Sequence, residues 1–173
     1  MMRIFLLGFM GAGKTTVGKM LATRLELPFV DLDESVESKL GKGITEIFNT
    51  EGEAFFRKTE AACLDEMSAQ GEFVMATGGG TPAWKGNMEL MNSRGLTVYL
   101  EQEEGLLLHR ISQGKMVRPL AADKPEERKA ALLRLLNLRR PFYERAQLRV
   151  KGVGRQGGDI DALARLLRAH YSR

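Results

Sequence analysis

Thiol chemistry has almost nothing to work with in this chain. Cys63 is the only cysteine among 173 residues, so no internal disulfide and no cysteine-based metal site can form. It sits in the helical-looking run 60–64 and reads as a small buried apolar residue. Long hydrophobic runs are also missing. The apolar stretch at residues 4–7 meets glycine at once, far short of the ~18 residues of a membrane span and too short for a signal-peptide core. It reads instead as a buried strand. Aromatic residues make up only 7%, and no basic stripe interleaved with aromatics offers the stacking platform that single-stranded nucleic acids use. Internal repeats, low-complexity tracts and linkers are absent as well.

What remains is ordinary for a folded domain: 43% hydrophobic residues, 28% charged and a net charge of +4. The length predicts one domain over residues 1–173, with room for a sheet and a helical cover. A reducing, soluble, cytoplasmic setting is expected, with no membrane and no nucleic-acid partner. The positive balance suits a small polyanion as well as a larger one, and the placement of the cations must decide.

Periodicity divides the chain into alternating elements. Residues 4–7 form a strand, 14–25 a helix with Val17, Met20, Leu21 and Leu25 at helical spacing, and 28–33 a short second strand. Strand, loop, helix, strand is a βαβ unit and predicts a parallel sheet. Helices follow at 34–40, at 46–49 with Thr45 as N-cap, and at 53–69 with Gly71 as terminator. Strands are expected at 72–76, 96–100 and 148–150, and helices at 87–93, 103–111, 125–139 and 159–170. Residues 112–125 lack a steady period and carry several cations, so they read as a mobile lid.

Gly8-Phe9-Met10-Gly11-Ala12-Gly13-Lys14-Thr15 matches G-x-x-x-x-G-K-[ST] in full, directly after the first strand and at the start of the first helix. Glycines allow the backbone to turn its N–H groups inward around phosphates. The helix adds the positive end of its dipole. Lys14 can reach the β- and γ-phosphates of a nucleotide, and the Thr15 hydroxyl can sit on Mg²⁺.

Other features are ambiguous singly. Thr77-Gly78-Gly79-Gly80 closes a strand, as a turn or as a place where a ligand approaches the backbone. Strand alternation puts Asp31 and Asp33 on one side of the chain. They either cap the next helix or serve the site, Asp31 through Mg²⁺ and Asp33 by orienting or deprotonating a hydroxyl. Arg57 is either amphipathic packing beside Phe55 and Phe56 or a carboxylate clamp held by Glu60 three residues on. Arg118 is either a solvated loop cation or a lid residue that neutralises transferred charge. Arg139 and Arg140 stand at an expected helix end before Pro141.

Together and in order, these segments resemble shikimate kinase, a family among the nucleoside-monophosphate-kinase-like P-loop proteins. The matching pieces are the loop with Thr16, Val17 and Gly18; Phe29 to Asp33; Ile47-Phe48; Gly52 to Arg57 with Glu60; Ala76 to Gly80; Val117 to Leu120; and Arg139 to Tyr143. The resemblance spans the chain to about residue 150. It implies an α/β, three-layer P-loop kinase fold, with a central five-stranded parallel sheet flanked by helices, a substrate-binding segment at about 33–61 and a lid at about 112–125. It also implies phosphorylation of the shikimate 3-hydroxyl by ATP with Mg²⁺, on the way to chorismate and aromatic amino acids, by a monomer.

Carried over residue by residue, the resemblance places the nucleotide on Gly11, Ala12, Gly13, Lys14, Thr15 and Thr16, with Arg110, Arg118 and Gln156 as further contacts. Arg110 would pack on adenine, and Gln156 would lie on the adenine side. Shikimate would rest on Asp33, Arg57, Gly78, Gly79, Gly80 and Arg139. The two arginines would take its carboxylate, and Phe48 and Phe56 would wall its ring. Lys14, Asp33 and Arg118 would carry catalysis, and Thr15 and Asp31 the metal. Ala121 departs from a leucine often found in the family's lid, and no role transfers to Trp84. Another small-molecule kinase of the same fold and a nucleic-acid-binding ATPase module are the competing readings. Two arginines and one acid favour a carboxylated polyol over the first, and the missing basic stripe speaks against the second.

Overall fold

Continuous apolar strands need cover on both faces, and this chain supplies two separate apolar layers. The computed structural model describes residues 1–113, 124–154 and 157–172. Five strands, β1 (Arg3–Leu7), β2 (Phe29–Asp31), β3 (Phe73–Ala76), β4 (Leu96–Glu101) and β5 (Leu148–Lys151), make one parallel sheet in the order β2-β3-β1-β4-β5. The expected parallel five-stranded sheet is present.

Alternation along the strands sorts the buried side chains. Phe5, Leu7, Phe73, Met75 and Tyr99 enter one core, and Ile4, Leu6, Val74, Val98 and Leu100 the other. The second core is closed by α1 (Lys14–Leu25) and α8 (Gly157–Tyr171) through Val17, Leu21, Ile160, Leu163 and Leu167. The first is closed by α2 (Leu32–Leu40), α3 (Ile44–Thr50), α4 (Glu53–Ser68), α5 (Asn87–Arg94), α6 (Glu104–Gln113) and α7 (Pro125–Tyr143). Helices, sheet, helices is the three-layer arrangement. Cys63 lies buried in the first core. Among the described residues no helix is long and apolar enough to cross a membrane.

Most boundaries move by one or two residues from expectation, and three of the differences have a local reason. β2 stops at Asp31, because the Asp31 carboxylate accepts from the Asp33 and Glu34 N–H groups and caps α2. Asp33 is therefore in the first helical turn, and strand alternation does not relate it to Asp31. α3 starts at Ile44 rather than after Thr45: Glu37 Oε1 accepts from the Ile44 N–H at 2.8 Å, with Gly43 at the N-cap. α7 runs through Pro141 to Tyr143 instead of ending near Arg139. Lid residues 114–123 with Arg118, and Gln156, lie outside the described residues.

Candidate functional site

All five parallel strands deliver their carboxyl ends to one edge of the sheet, where doubly wound folds bind ligands. A cleft of about 720 Å³ opens there. Its floor is the loop between β1 and α1. Gly11 and Gly13 hold φ values of 80° and 91°, in the left-handed region that glycine tolerates. Gly13 is the N-cap of α1 and has no side chain to occupy the helix's first N–H groups. The Lys14 ammonium donates to the Gly8 and Phe9 carbonyls at 2.8 and 3.0 Å, which folds it over the loop.

The phosphate half of the cleft is coupled to the second strand. Thr15 Oγ1 donates to Asp31 Oδ2 at 2.8 Å, so the two residues expected at a metal are in direct contact. Gly11, Ala12, Gly13, Lys14, Thr15 and Thr16 all line the cleft, as do Asp31, Asp33, Gly79 and Arg110. Arg110, assigned by resemblance to adenine, donates through Nη1 to the Gly11 carbonyl at 3.0 Å. It therefore braces the loop from α6.

Beside this cleft, the turn after β3 collects the remaining residues. A Cβ added to Gly78 would come within 2.5 Å of Glu60 Oε1 and 2.9 Å of Asp33 Oδ1. One on Gly79 would sit 3.6 Å from Arg139 Nη1, and one on Gly80 would overlap the Arg57 guanidinium. The three glycines thus leave room for two arginines and two acids against bare backbone. Arg57 is 4% exposed and Glu60 0%. Their ion pair is 2.8 Å long, Glu53 Oε1 lies 3.4 Å from Arg57 Nε, and Thr81 Oγ1 donates to Glu60 Oε1 at 2.7 Å. Burial pushes the Glu60 carboxyl above its ordinary value, with the Asp33 charge adding to the rise, while Arg57 and Thr81 pull it down. Phe56 has no exposed surface and backs half-buried Phe48 at a ring separation of 4.9 Å. The Arg57 guanidinium rests 5.1 Å from the Phe56 ring.

Residues 10–164 match the family model described as shikimate kinase. The chain belongs to the shikimate kinase family. A shikimate kinase from Azobacteroides pseudotrichonymphae is 48% identical over 150 residues, covering 86% of this chain and 88% of its own length. One from Aquifex aeolicus is 40% identical over 87% of each. The crystal structure of shikimate kinase from Bacteroides thetaiotaomicron matches with a TM-score of 0.88 and 37% identity over 99% of both chains. That of the Acinetobacter baumannii enzyme in complex with shikimate gives 0.83 and 37%, over 99% of this chain and 94% of that one.

Two residues that touch the loop and the glycine turn were given no role by the sequence. Gln102 follows β4, is 9% exposed, and donates through Nε2 to the Val153 carbonyl at 3.0 Å and the Ala12 carbonyl at 3.5 Å. It links the phosphate loop to the turn after β5, whose Val153 and Gly154 line the same cleft. Its place directly after a parallel strand was the available signal. Tyr143 is fully buried, and its hydroxyl donates to the Gly79 carbonyl. The signal was its position one helical turn after Arg139, hidden by the expectation that Pro141 ends the helix.

Proposed function

We propose that this chain is an ATP-dependent kinase that moves the γ-phosphate of ATP to the 3-hydroxyl of shikimate, giving shikimate 3-phosphate and ADP. One observation carries the substrate half of the reading. Two guanidinium groups, Arg57 and Arg139, reach adjacent members of one glycine turn, Gly80 and Gly79, with Asp33 beside Gly78. Paired guanidinium forks suit a carboxylate, an acid suits hydroxyls, and the phosphate loop faces the same crevice.

In this reading the loop N–H groups and the α1 dipole hold the nucleotide phosphates, and Lys14 swings to the β- and γ-phosphates. Asp33 orients the attacking hydroxyl and accepts its proton. Arg57 and Arg139 fix the ring through its carboxylate, so the reaction becomes one of positioning and charge neutralisation. Arg118 is proposed as the lid arginine that meets the developing charge. Gln156 is proposed as a contact on the nucleotide side.

The donor set fits Mg²⁺. Thr15 and Asp31 offer adjacent oxygens alone, and among the described residues no cluster of three His, Cys, Asp or Glu could hold a metal by itself. Hydrated magnesium bound mainly by phosphate oxygens is the cation that needs so little from protein. When bound, it neutralises charge on the transferring group. The reading includes a reducing cytoplasm without a nucleic-acid partner, supported by the single buried thiol and the lack of a basic aromatic stripe in the sequence, and a monomer, which rests on the family resemblance alone.

A coupled ADP-release assay with shikimate, quinate, gluconate and nucleoside monophosphates tests the assignment. Saturable turnover confined to shikimate is expected. Faster turnover of gluconate or a nucleotide would assign the chain to a different kinase of this fold.

A further inference from the structure

Gly79 is flanked by two peptide planes, and both are tied down. The Gly78 carbonyl accepts from the Thr81 N–H at 3.1 Å, which orients the peptide that carries the Gly79 N–H. The Gly79 carbonyl, buried and outside any strand, accepts from the hydroxyl of Tyr143. A buried carbonyl requires a partner, and here it comes from a helix 64 residues away. Tyr143 is 0% exposed, and its ring packs on Tyr99 with 5.3 Å between centroids, so the phenol has little freedom to leave.

Tyr143 lies four residues after Arg139 on α7, and side chains at that spacing share a helix face. One face therefore brings a guanidinium to Gly79 from one turn and a phenol from the next. This requires the helix to continue past Pro141, which it does: the Glu144 N–H donates to the Arg140 carbonyl at 3.0 Å. Proline in a helix interior forfeits a hydrogen bond, and at this place the helix beyond it delivers the phenol.

We propose that Tyr143 is a positioning residue for the substrate half of the site, clamping the Gly79–Gly80 peptide and tying α7 to the turn, so that the turn's backbone and the Arg139 guanidinium hold a fixed relation to the bound ring. The inference rests on the shikimate kinase reading above. Without the phenol the Gly79–Gly80 peptide can rotate, the Gly79 backbone loses its fixed direction, and α7 loses its attachment to the turn. The phenol and its acceptor lie on α7 and on the turn after β3, and neither is on the loop between β1 and α1.

The test is Y143F, which keeps the ring and removes the donor, assayed beside wild type for kcat, both KM values and Tm. A loss of one positioning hydrogen bond is expected to raise the shikimate KM about five- to tenfold, with the ATP KM changed less than about twofold. Replacing Tyr143 with 4-aminophenylalanine restores a para donor and is expected to recover most of the shikimate KM. It also serves as the reporting variant should Y143F not fold. A Y143F protein with lowered Tm and wild-type KM values for both substrates, or an aminophenylalanine protein that folds but leaves the shikimate KM raised, would overturn the positioning role. Wild type that fails to phosphorylate shikimate would overturn the functional reading itself, a separate and distinguishable result.

Discussion

Arg57 and Glu60 form an ion pair that is 2.8 Å long and almost fully withdrawn from water, directly beneath Gly80. A buried pair adds little stability relative to apolar side chains of the same volume, yet removing one partner strands the other. Glu60 thus fixes the Arg57 guanidinium against the turn, and in the proposed reading that holds it ready for a substrate anion.

R57A should lose both binding and stability. The shikimate KM is expected to rise about 10²-fold or more, as for loss of a charged, desolvated contact. Stranding Glu60 should cost on the order of 3–5 kcal/mol, read as a lowered Tm. ATP affinity, measured by titration, should stay within about twofold. If ATP affinity alone suffered, the clamp assignment would be wrong.

Glu60 makes a pH-dependent prediction. Its carboxyl is pushed up from 4.5, chiefly by burial. An acid with a raised folded-state pKa contributes stability that is full below its unfolded pKa and is lost as pH rises through the folded value. The Tm advantage of wild type over E60Q should therefore be largest at the acid end of a series from about pH 4 to about pH 8, and shrink as pH rises. An advantage that grows with pH would mean that the Arg57 attraction outweighs burial.

In G80A the new methyl group would meet Arg57 Cζ at 2.6 Å and Nη1 at 2.8 Å. Displacing the guanidinium by about an ångström should lower kcat/KM for shikimate roughly 10²-fold. Nucleotide binding should be unchanged, which a nucleotide titration would check.

K14A removes the charge folded over Gly8 and Phe9. Its kcat should fall by about 10²–10³, the scale for losing one preorganised electrostatic donor, with Tm nearly unchanged. A wild-type rate would refute the role of Lys14.

D31A removes the N-cap of α2 and the acceptor of Thr15. A stability loss of about 1 kcal/mol is expected from the cap, seen as a Tm lower by about 2–4 °C. The Mg²⁺ concentration for half-maximal rate should rise. An unchanged magnesium requirement would leave Asp31 with the cap alone.

Much of this was legible in the residues. The strand of β1, the glycine loop and α1 are local signals, and α1 matches its expected bounds because the apolar spacing and the loop agree. The Arg57–Glu60 pair was legible as well, since three residues on a helix must meet. Of the two readings open for Asp31, the cap of the next helix is present and ends its strand, and the Ile44 N–H is capped by Glu37, seven residues back, where no standard N-cap residue marks it. What escaped altogether came from contacts remote in sequence. Arg110 and Gln102 reach loop carbonyls about 90 to 100 residues away, a match that no local period encodes. Pro141 misled because helix propensity favours a stop there, whereas Tyr143 and its buried partners hold the helix on.

The central claim is that one crevice joins ATP to a carboxylated polyol, and the most direct measurement is of the product. Purified wild-type protein with MgATP and shikimate, followed by ³¹P NMR, should yield a phosphomonoester at the 3-position and ADP in equal amounts. ADP formation without that ester, or no consumption of ATP when shikimate is added, would contradict it.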